Sequence, residues 1–441
     1  MSPNELLAIA MVASFFGMLM VGIPVGIAIA TSALVFGYAG FGPMLFALVP
    51  SRIYGVVTNY TLMAIPLFVF MGVMLEKSRL AEELLDVIGH LFGRVSGGMG
   101  VAIVLVGVLL GAATGIVGAT IVTLGLLTLP ALLRRGYSAP LACGVICASG
   151  TLGQIIPPSL VLILLADVLG ESVGTLFAAA MIPGLMLAGL YVVAFLVLAG
   201  LRPDLAPPIP ADERAALDGW ALARKAIVVV VPPIGLVVAV LGSIVGGVAA
   251  PTEAASMGAI GALLMALVGR KLSLRVLSDV LRATLLISAM VFFILICAQV
   301  FGLAFRGLGG EHLVERLFAW VPGGVTGSLL FLLALVFVLG FFLEWIEITY
   351  IALPLFLPFF IAEGVDMVWL GILICMNLQT SFLTPPFGWA LFFLKGVAPA
   401  GVTTGAIYRG VLPFIALQLL ALAILFAAPG LATWLPEAIG W

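Results

Sequence analysis

Long apolar runs separated by short polar punctuation fill the chain from residue 5 to residue 428. Crossing about 30 Å of hydrocarbon takes about 20 apolar residues as helix. Runs of that order cover 5–39, 61–76, 97–134, 138–169, 173–201, 225–247, 252–269, 283–305, 326–362, 366–397 and 407–428, and few are interrupted by charge. The first run is punctuated at Pro24 and has no basic n-region, so it is expected to remain as a span rather than be cleaved. One long polar stretch, residues 202–224, carries prolines and mixed charges. It reads as an aqueous connector that divides the chain into halves, 1–201 and 225–441. The expected fold is an all-α polytopic membrane protein.

Composition names the solvent. Of 441 residues, 64% are hydrophobic and 9% charged, with a mean hydropathy of +1.34. A soluble domain has about 45–50% apolar and about 25% charged residues. Too few polar side chains exist here to cover so much apolar surface, so the solvent is lipid. A net charge of -2 leaves no basic footprint for nucleic acid. Cys143, Cys147, Cys297 and Cys375 lie within apolar runs and read as packing residues, and His90 and His312 read as surface groups.

The halves share a plan. An offset of 228 carries Pro157-Pro158 onto Pro385-Pro386, Pro130 onto Pro358 and Gly136 onto Gly364, while Pro24 meets Pro251 at one residue less. Arg94, Arg134 and Arg135 flank the first unit, whereas 321–325 and 362–367 around the second carry Glu363 and Asp366 and no Lys or Arg. By the positive-inside rule the two units face opposite ways, which makes the repeat inverted.

Within each unit one helix is interrupted. Residues 138–150, about 20 Å of helix, are too short to cross and stop at Ser149-Gly150-Thr151-Leu152-Gly153-Gln154. The chain resumes after Pro157-Pro158, which makes 138–169 half-helix, break, half-helix. The second unit repeats this over 366–397, with the break at 379–388, from Gln379-Thr380-Ser381 to Thr384-Pro385-Pro386. Irregular backbone at membrane depth must be buried in protein or line a watery cavity, where helix ends offer N–H groups to anions and carbonyls to cations. The preceding runs, 97–134 and 326–362, have small or polar tips at 111–120 and 340–349 and fit either re-entrant hairpins or pairs of full spans. Gly111 and Gly115 also fit a close-packing GxxxG pair. Carboxylates within the membrane are costly and by default functional, which singles out Glu344 and Glu347, then Glu253. No Lys or Arg lies at either tip or break, so an anionic substrate would lean on helix N-termini, hydroxyls and bound cations.

The segments GAATGIVGATIVTLGLLTLP, ASGTLGQIIPPS, APTEAASMGAIGALL and LQTSFLTPPFG together resemble the large membrane subunit of TRAP (tripartite ATP-independent periplasmic) transporters. The resemblance runs over nearly the full chain. It implies an elevator-type carrier of the ion-transporter superfamily in a bacterial inner membrane, with two hairpins and two broken helices around substrate and Na+. It further implies a small four-span membrane subunit, a periplasmic substrate-binding protein, no cofactor and no enzymatic chemistry. The substrate and ion region carries over onto Thr114, Gly115, Ser149, Gly150, Thr151, Gly153, Pro157, Gly340, Glu344, Glu347, Thr380, Ser381, Thr384 and Pro385. Na+ itself is expected at Ser149, Gly153, Gly340, Thr380 and Thr384. The second tip departs from the family's frequent Asp-Pro-Thr-Ala pattern by reading Leu-Glu-Trp-Ile-Glu-Ile-Thr, which speaks against sialic acid. The implied function is Na+-coupled import of a small organic acid. The alternative is a stand-alone ion-coupled symporter or antiporter of the same superfamily.

Overall fold

The computed structural model describes residues 2–210 and 219–441, without the side chains of Ala113 and Thr114. Within these residues every regular element is helical. Eight helices are long and apolar enough to cross a membrane, or ten when each of two bent pairs counts as one span.

The first half begins with α1 (Pro3–Met20), α2 (Val25–Phe41), α3 (Met44–Val57) and α4 (Ala64–Lys77). The expected run 5–39 is two helices parted at 21–24, where Pro24 precedes α2. Next come α5 (Leu80–Phe92), α6 (Gly98–Thr114), α7 (Val117–Arg134), α8 (Ala139–Thr151), α9 (Leu160–Leu169) and α10 (Val173–Leu201). The second half runs α11 (Gly219–Val245), α12 (Pro251–Val268), α13 (Leu274–Gly307), α14 (Gly310–Ala319) and α15 (Gly324–Leu339). It closes with α16 (Trp345–Ala362), α17 (Met367–Leu383), α18 (Trp389–Val397), α19 (Thr404–Ala427) and α20 (Gly430–Ala438).

The helix bounds keep the register of the sequence. An offset of 228 carries the ends of α7, Val117 and Arg134, onto Trp345 and Ala362 of α16, and the start of α8 onto the start of α17. An offset of 230 carries Met44 and Lys77, the outer ends of α3 and α4, onto Leu274 and Gly307 of α13. The counterparts are not identical. The α3–α4 pair bends by 55° at residues 58–60, where α13 is one unbroken helix of 34 residues.

Several sequence expectations are corrected. The polar connector stops short of 224, because α11 already begins at Gly219. Long Arg224 and Lys225 side chains can reach headgroup depth while their stems stay in the helix. Nor is 202–210 simply solvated. Ala206 and Ile209 are buried, and the stretch accepts or donates backbone bonds at Gly97 N–Ala206 O, Ser138 N–Leu205 O and Ile209 N–Gly93 O. Residues 211–218 of the connector lie outside the described residues. The helices α3, α5, α14 and α20 escaped a search for long uncharged runs. Both α5 and α14 are short and amphipathic, with Leu84 and Ile88, or Val314 and Phe318, turned inward beneath charged outer faces.

Those two amphipathic helices act as arms. Lys271 and Lys225 pair with Glu83 and Asp86 on α5, at 2.5 and 2.7 Å. Arg306 and Arg316 tie α14 to its neighbours through Glu311 (3.7 Å) and Glu5 (2.6 Å). Each arm is thereby pinned to the group α1–α4 and α11–α13, which we call the frame. The remaining helices, α6–α10 and α15–α20, form the body. Phe318 of α14 stacks on Phe359 at 4.5 Å and meets Phe356 and Phe360 edge-on, so this arm also grips the body.

Candidate functional site

The body is built around two interrupted helices lying antiparallel. Cys147 donates through Sγ to the Ala390 carbonyl at 3.7 Å, and Cys375 to the Gln154 carbonyl at 3.3 Å. A Cβ on Gly371 would touch Leu169. These three contacts advance along one helix pair while retreating along the other.

In the first helix, α8 ends at Thr151, a 3-10 turn holds Leu152–Gln154, and the chain is irregular to Ser159. The peptide between Pro157 and Pro158 is cis. In the second, α17 continues to Leu383. The break is therefore 384–388 rather than 379–388, and Gln379, Thr380 and Ser381 occupy the last helical turn. Back-bonding explains why hydroxyls do not end this helix earlier. Thr380 donates to the Met376 carbonyl (3.2 Å), Ser381 to Leu378 (2.8 Å) and Thr384 to Thr380 (2.6 Å). Thr151 does the same to Ala148 at 2.9 Å. Each such oxygen keeps lone pairs for a cation after its proton is spent. The peptide between Pro385 and Pro386 is also cis.

The two helix-turn-helix tips meet these breaks. At the first, Gly115 adopts a left-handed φ of 61° and turns the chain between α6 and α7. Gly111 lies backbone to backbone against Gly153, and Gly107 against Ser149. Any side chain at Gly111 or Gly153 would strike main chain, so the glycines serve close approach as well as the turn. Gly150 is packed instead against the Ile121 side chain. Thr114, the remaining tip-one candidate, has its side chain outside the described residues. Both ends of the α6–α7 unit bond to adjacent connector residues, Ala206 and Leu205, and its tip stops level with the break.

At the second tip Gly340 faces Ser381, whose hydroxyl and Cβ leave no room for a Cβ. Asn377 donates to the Leu333 carbonyl at 2.7 Å and fastens α17 to α15. Glu344 is the N-cap of the turn opening α16, which winds as a π-helix over Ile348–Ala352. Single π turns recur at functional sites. Glu347 is 3% exposed, and its Oε2 has no hydrogen-bond partner among the described residues.

Other buried groups share that condition. The Ser149 hydroxyl and both amide atoms of Gln154 and of Gln379 have no partner among the described residues. Gln154 lies at the first break, where its carbonyl meets Cys375, and Gln379 lies on the same helix as Cys375, one turn further on. Leaving a buried donor or acceptor unmade costs about 1–3 kcal/mol. Ser149, Gln154 and Gln379 lie on or beside the two interrupted helices near their breaks, and Glu347 lies at the second tip. The oxygens suit a hard cation such as Na+, and the amide N–H groups suit a carboxylate.

Gln154 and Gln379 lie within the breaks expected from sequence but are not among the expected ligands. Asp167 on α9 is likewise absent from them, though a lone Asp in an apolar run carries the same signal as Glu344. Glu253 resolves the other way. Its carboxylate accepts from the Ala250 N–H at 2.8 Å, closing the N-terminus of α12, so its part is structural.

The family described as "Tripartite ATP-independent periplasmic transporter, DctM component" matches residues 12–431. The chain belongs to that family. Among its relatives is the C4-dicarboxylate TRAP transporter large permease protein DctM of Pseudomonas aeruginosa, 31% identical over 87% of each chain. The ectoine TRAP transporter large permease protein TeaC of Halomonas elongata is 28% identical over 97% of this chain and 98% of its own. In fold the chain is similar to the Alcanivorax borkumensis YdaH transporter, with a TM-score of 0.60 at 16% identity, over 90% of this chain and 89% of that one. The protein is accordingly a multi-pass membrane transporter subunit, and its relatives are permeases rather than enzymes.

Proposed function

We propose that the chain is the transmembrane carrier of a Na+-coupled importer of small organic acids in a bacterial inner membrane. In this reading it receives substrate from a periplasmic binding protein and works beside a small four-span membrane subunit. The observation that carries the coupling is the set of buried oxygens and amides without partners among the described residues, at the breaks (Ser149, Gln154, Gln379) and the second tip (Glu347). Helix C-termini at Thr151 and Leu383 bring partial negative charge to the same place, and the N-termini of α9 and α18 bring partial positive charge. Na+ would lie among Ser149, Gly153, Gly340, Thr380 and Thr384, joined by the glutamine oxygens. The substrate carboxylate would be held by the N-termini, the amides and the bound ions, with Thr114, Gly115, Gly150, Thr151, Pro157, Glu344, Ser381 and Pro385 shaping the walls.

The antiparallel helix pair, the shared register of helix bounds and the level at which tip one stops support an inverted repeat with two re-entrant hairpins. Its halves are 1–201 and 219–441. Movement of the body against a frame braced by two arms is the elevator mechanism this architecture favours. Lys77, Arg94, Arg135, Lys225 and Lys271 gather at the end of the molecule where the arm α5 and the connector sit, which makes that end cytoplasmic.

The test is reconstitution into vesicles with the small subunit and its binding protein, under an imposed Na+ gradient. Uptake that needs both the gradient and the loaded binding protein is the expected result. Uptake of free substrate without the binding protein would instead establish the stand-alone symporter.

A further inference from the structure

One carboxylate outside the proposed ion region is held from two sides. Asp167, near the end of α9, accepts through Oδ1 from the Asn59 side-chain amide at 2.6 Å and through Oδ2 from the Tyr350 hydroxyl at 2.8 Å. The partners are 108 and 183 residues away in sequence. Tyr350 lies on the π turn of the second tip, within the body. Asn59 belongs to the frame, at the 55° bend between α3 and α4, where its carbonyl oxygen also accepts the Thr61 N–H at 3.0 Å.

The second half provides a control written into the same chain. There α13 replaces the bent pair without a break and offers no exposed turn to carry an amide. At the offset of 228, Asp167 corresponds to Lys395, whose ammonium caps the Val402 carbonyl at 2.9 Å and stays within the body. The bend and the acid thus occur together in one half and are both missing from the other. By comparison, the frame-to-body contact of the Thr123 hydroxyl with Glu76 Oε1 is long, at 3.5 Å.

We propose that Asp167 is a positioning residue of the transport cycle, oriented by Tyr350 and latched to the frame through Asn59 in the state described here. This rests on the proposed movement of body against frame. A short hydrogen bond to a partly buried carboxyl oxygen contributes to whichever state makes it. Breaking it in one state and not the other shifts the balance between states roughly 10- to 100-fold.

The exchange of the two side chains tests it. Asn59→Asp keeps an oxygen for the Thr61 N–H but sets carboxylate against carboxylate. Asn59→Asp with Asp167→Asn restores a donor and an acceptor, since the new amide can give its N–H to position 59 and keep its oxygen for Tyr350. Spin labels at Leu185 on α10 and Leu264 on α12, both exposed, read the body-to-frame distance in reconstituted protein as NaCl is varied. The expected result is that Asn59→Asp depletes the wild-type distance at least 10-fold relative to a second population, and that the exchange brings it back. If Asn59→Asp does not fold, Tyr350→Phe carries the test, with a smaller shift in the same direction. An unchanged distribution in a variant of a protein that otherwise moves overturns the latch alone. A wild-type distance that never changes under any NaCl or partner condition overturns the moving body, and the latch with it.

Discussion

The two tips follow one plan and are closed by different means. At the first, main chain meets main chain at Gly111 and Gly153, the turn is a left-handed glycine, and no ionisable side chain is present. At the second, Gly340 faces a hydroxyl-bearing side chain, Ser381, and two glutamates sit beside a π turn. Two helix-turn-helix tips of similar outline therefore need not carry the same chemistry. One tip is specified by the absence of side chains, and the other by polar side chains held out of water.

Substitution separates the two modes most sharply at the glycines. Gly153→Val drives a branched side chain into the backbone of the first tip, which cannot rotate away. Uptake in vesicles should fall by at least roughly 100-fold, as loss of a few kcal/mol of site geometry does. Gly340→Ala meets a side chain instead, so pairing it with Ser381→Gly should recover most uptake. Failure of that pair to recover would mean that the second tip is also closed by backbone.

Charge comes next. Glu347→Gln should raise the Na+ concentration needed for half-maximal uptake by roughly 10-fold, the worth of about 1.4 kcal/mol. Its counterpart at the offset of 228 is Ala119, and Ala119→Ser should leave the Na+ dependence unchanged. Equal effects at the two positions would erase the proposed difference between the tips.

The unpaired amides give a smaller but more diagnostic effect. Gln154→Leu or Gln379→Leu removes polar atoms that have no partner, so each variant should melt at an equal or higher temperature than wild type, by about 1–3 kcal/mol of stability. Each should also lose Na+ stimulation of uptake. A variant that is both destabilised and inactive would mark the glutamine as structural.

Smallest of all should be the arm clamps. Lys271→Ala breaks a part-exposed ion pair with Glu83, and thermal melting should register about 0–1 kcal/mol, declining further in high salt.

Much of this molecule was legible before any coordinates. A fixed run length for crossing hydrocarbon located most of the long helices, and the Pro-Pro register at an offset of 228 located both breaks. What escaped did so for identifiable reasons. Arms α5 and α14 carry charge on one face, so a search for uncharged runs passes over them. The second break was drawn too long because Thr380 and Ser381 resemble loop residues, whereas their hydroxyls are satisfied by carbonyls of their own helix.

The sequence by itself determined that the chain lives in lipid and that two helices are interrupted at its Pro-Pro pairs. Composition and proline spacing are local properties, and local properties survive without a fold. Only the tertiary structure decided which polar groups among the described residues remain unpaired, since contacts such as that of Cys375 with the Gln154 carbonyl join residues 221 apart. It likewise decided that Asp167 answers to Asn59 and Tyr350, since a carboxylate's partners are set by where distant helices bring their donors and not by what lies beside it in the chain.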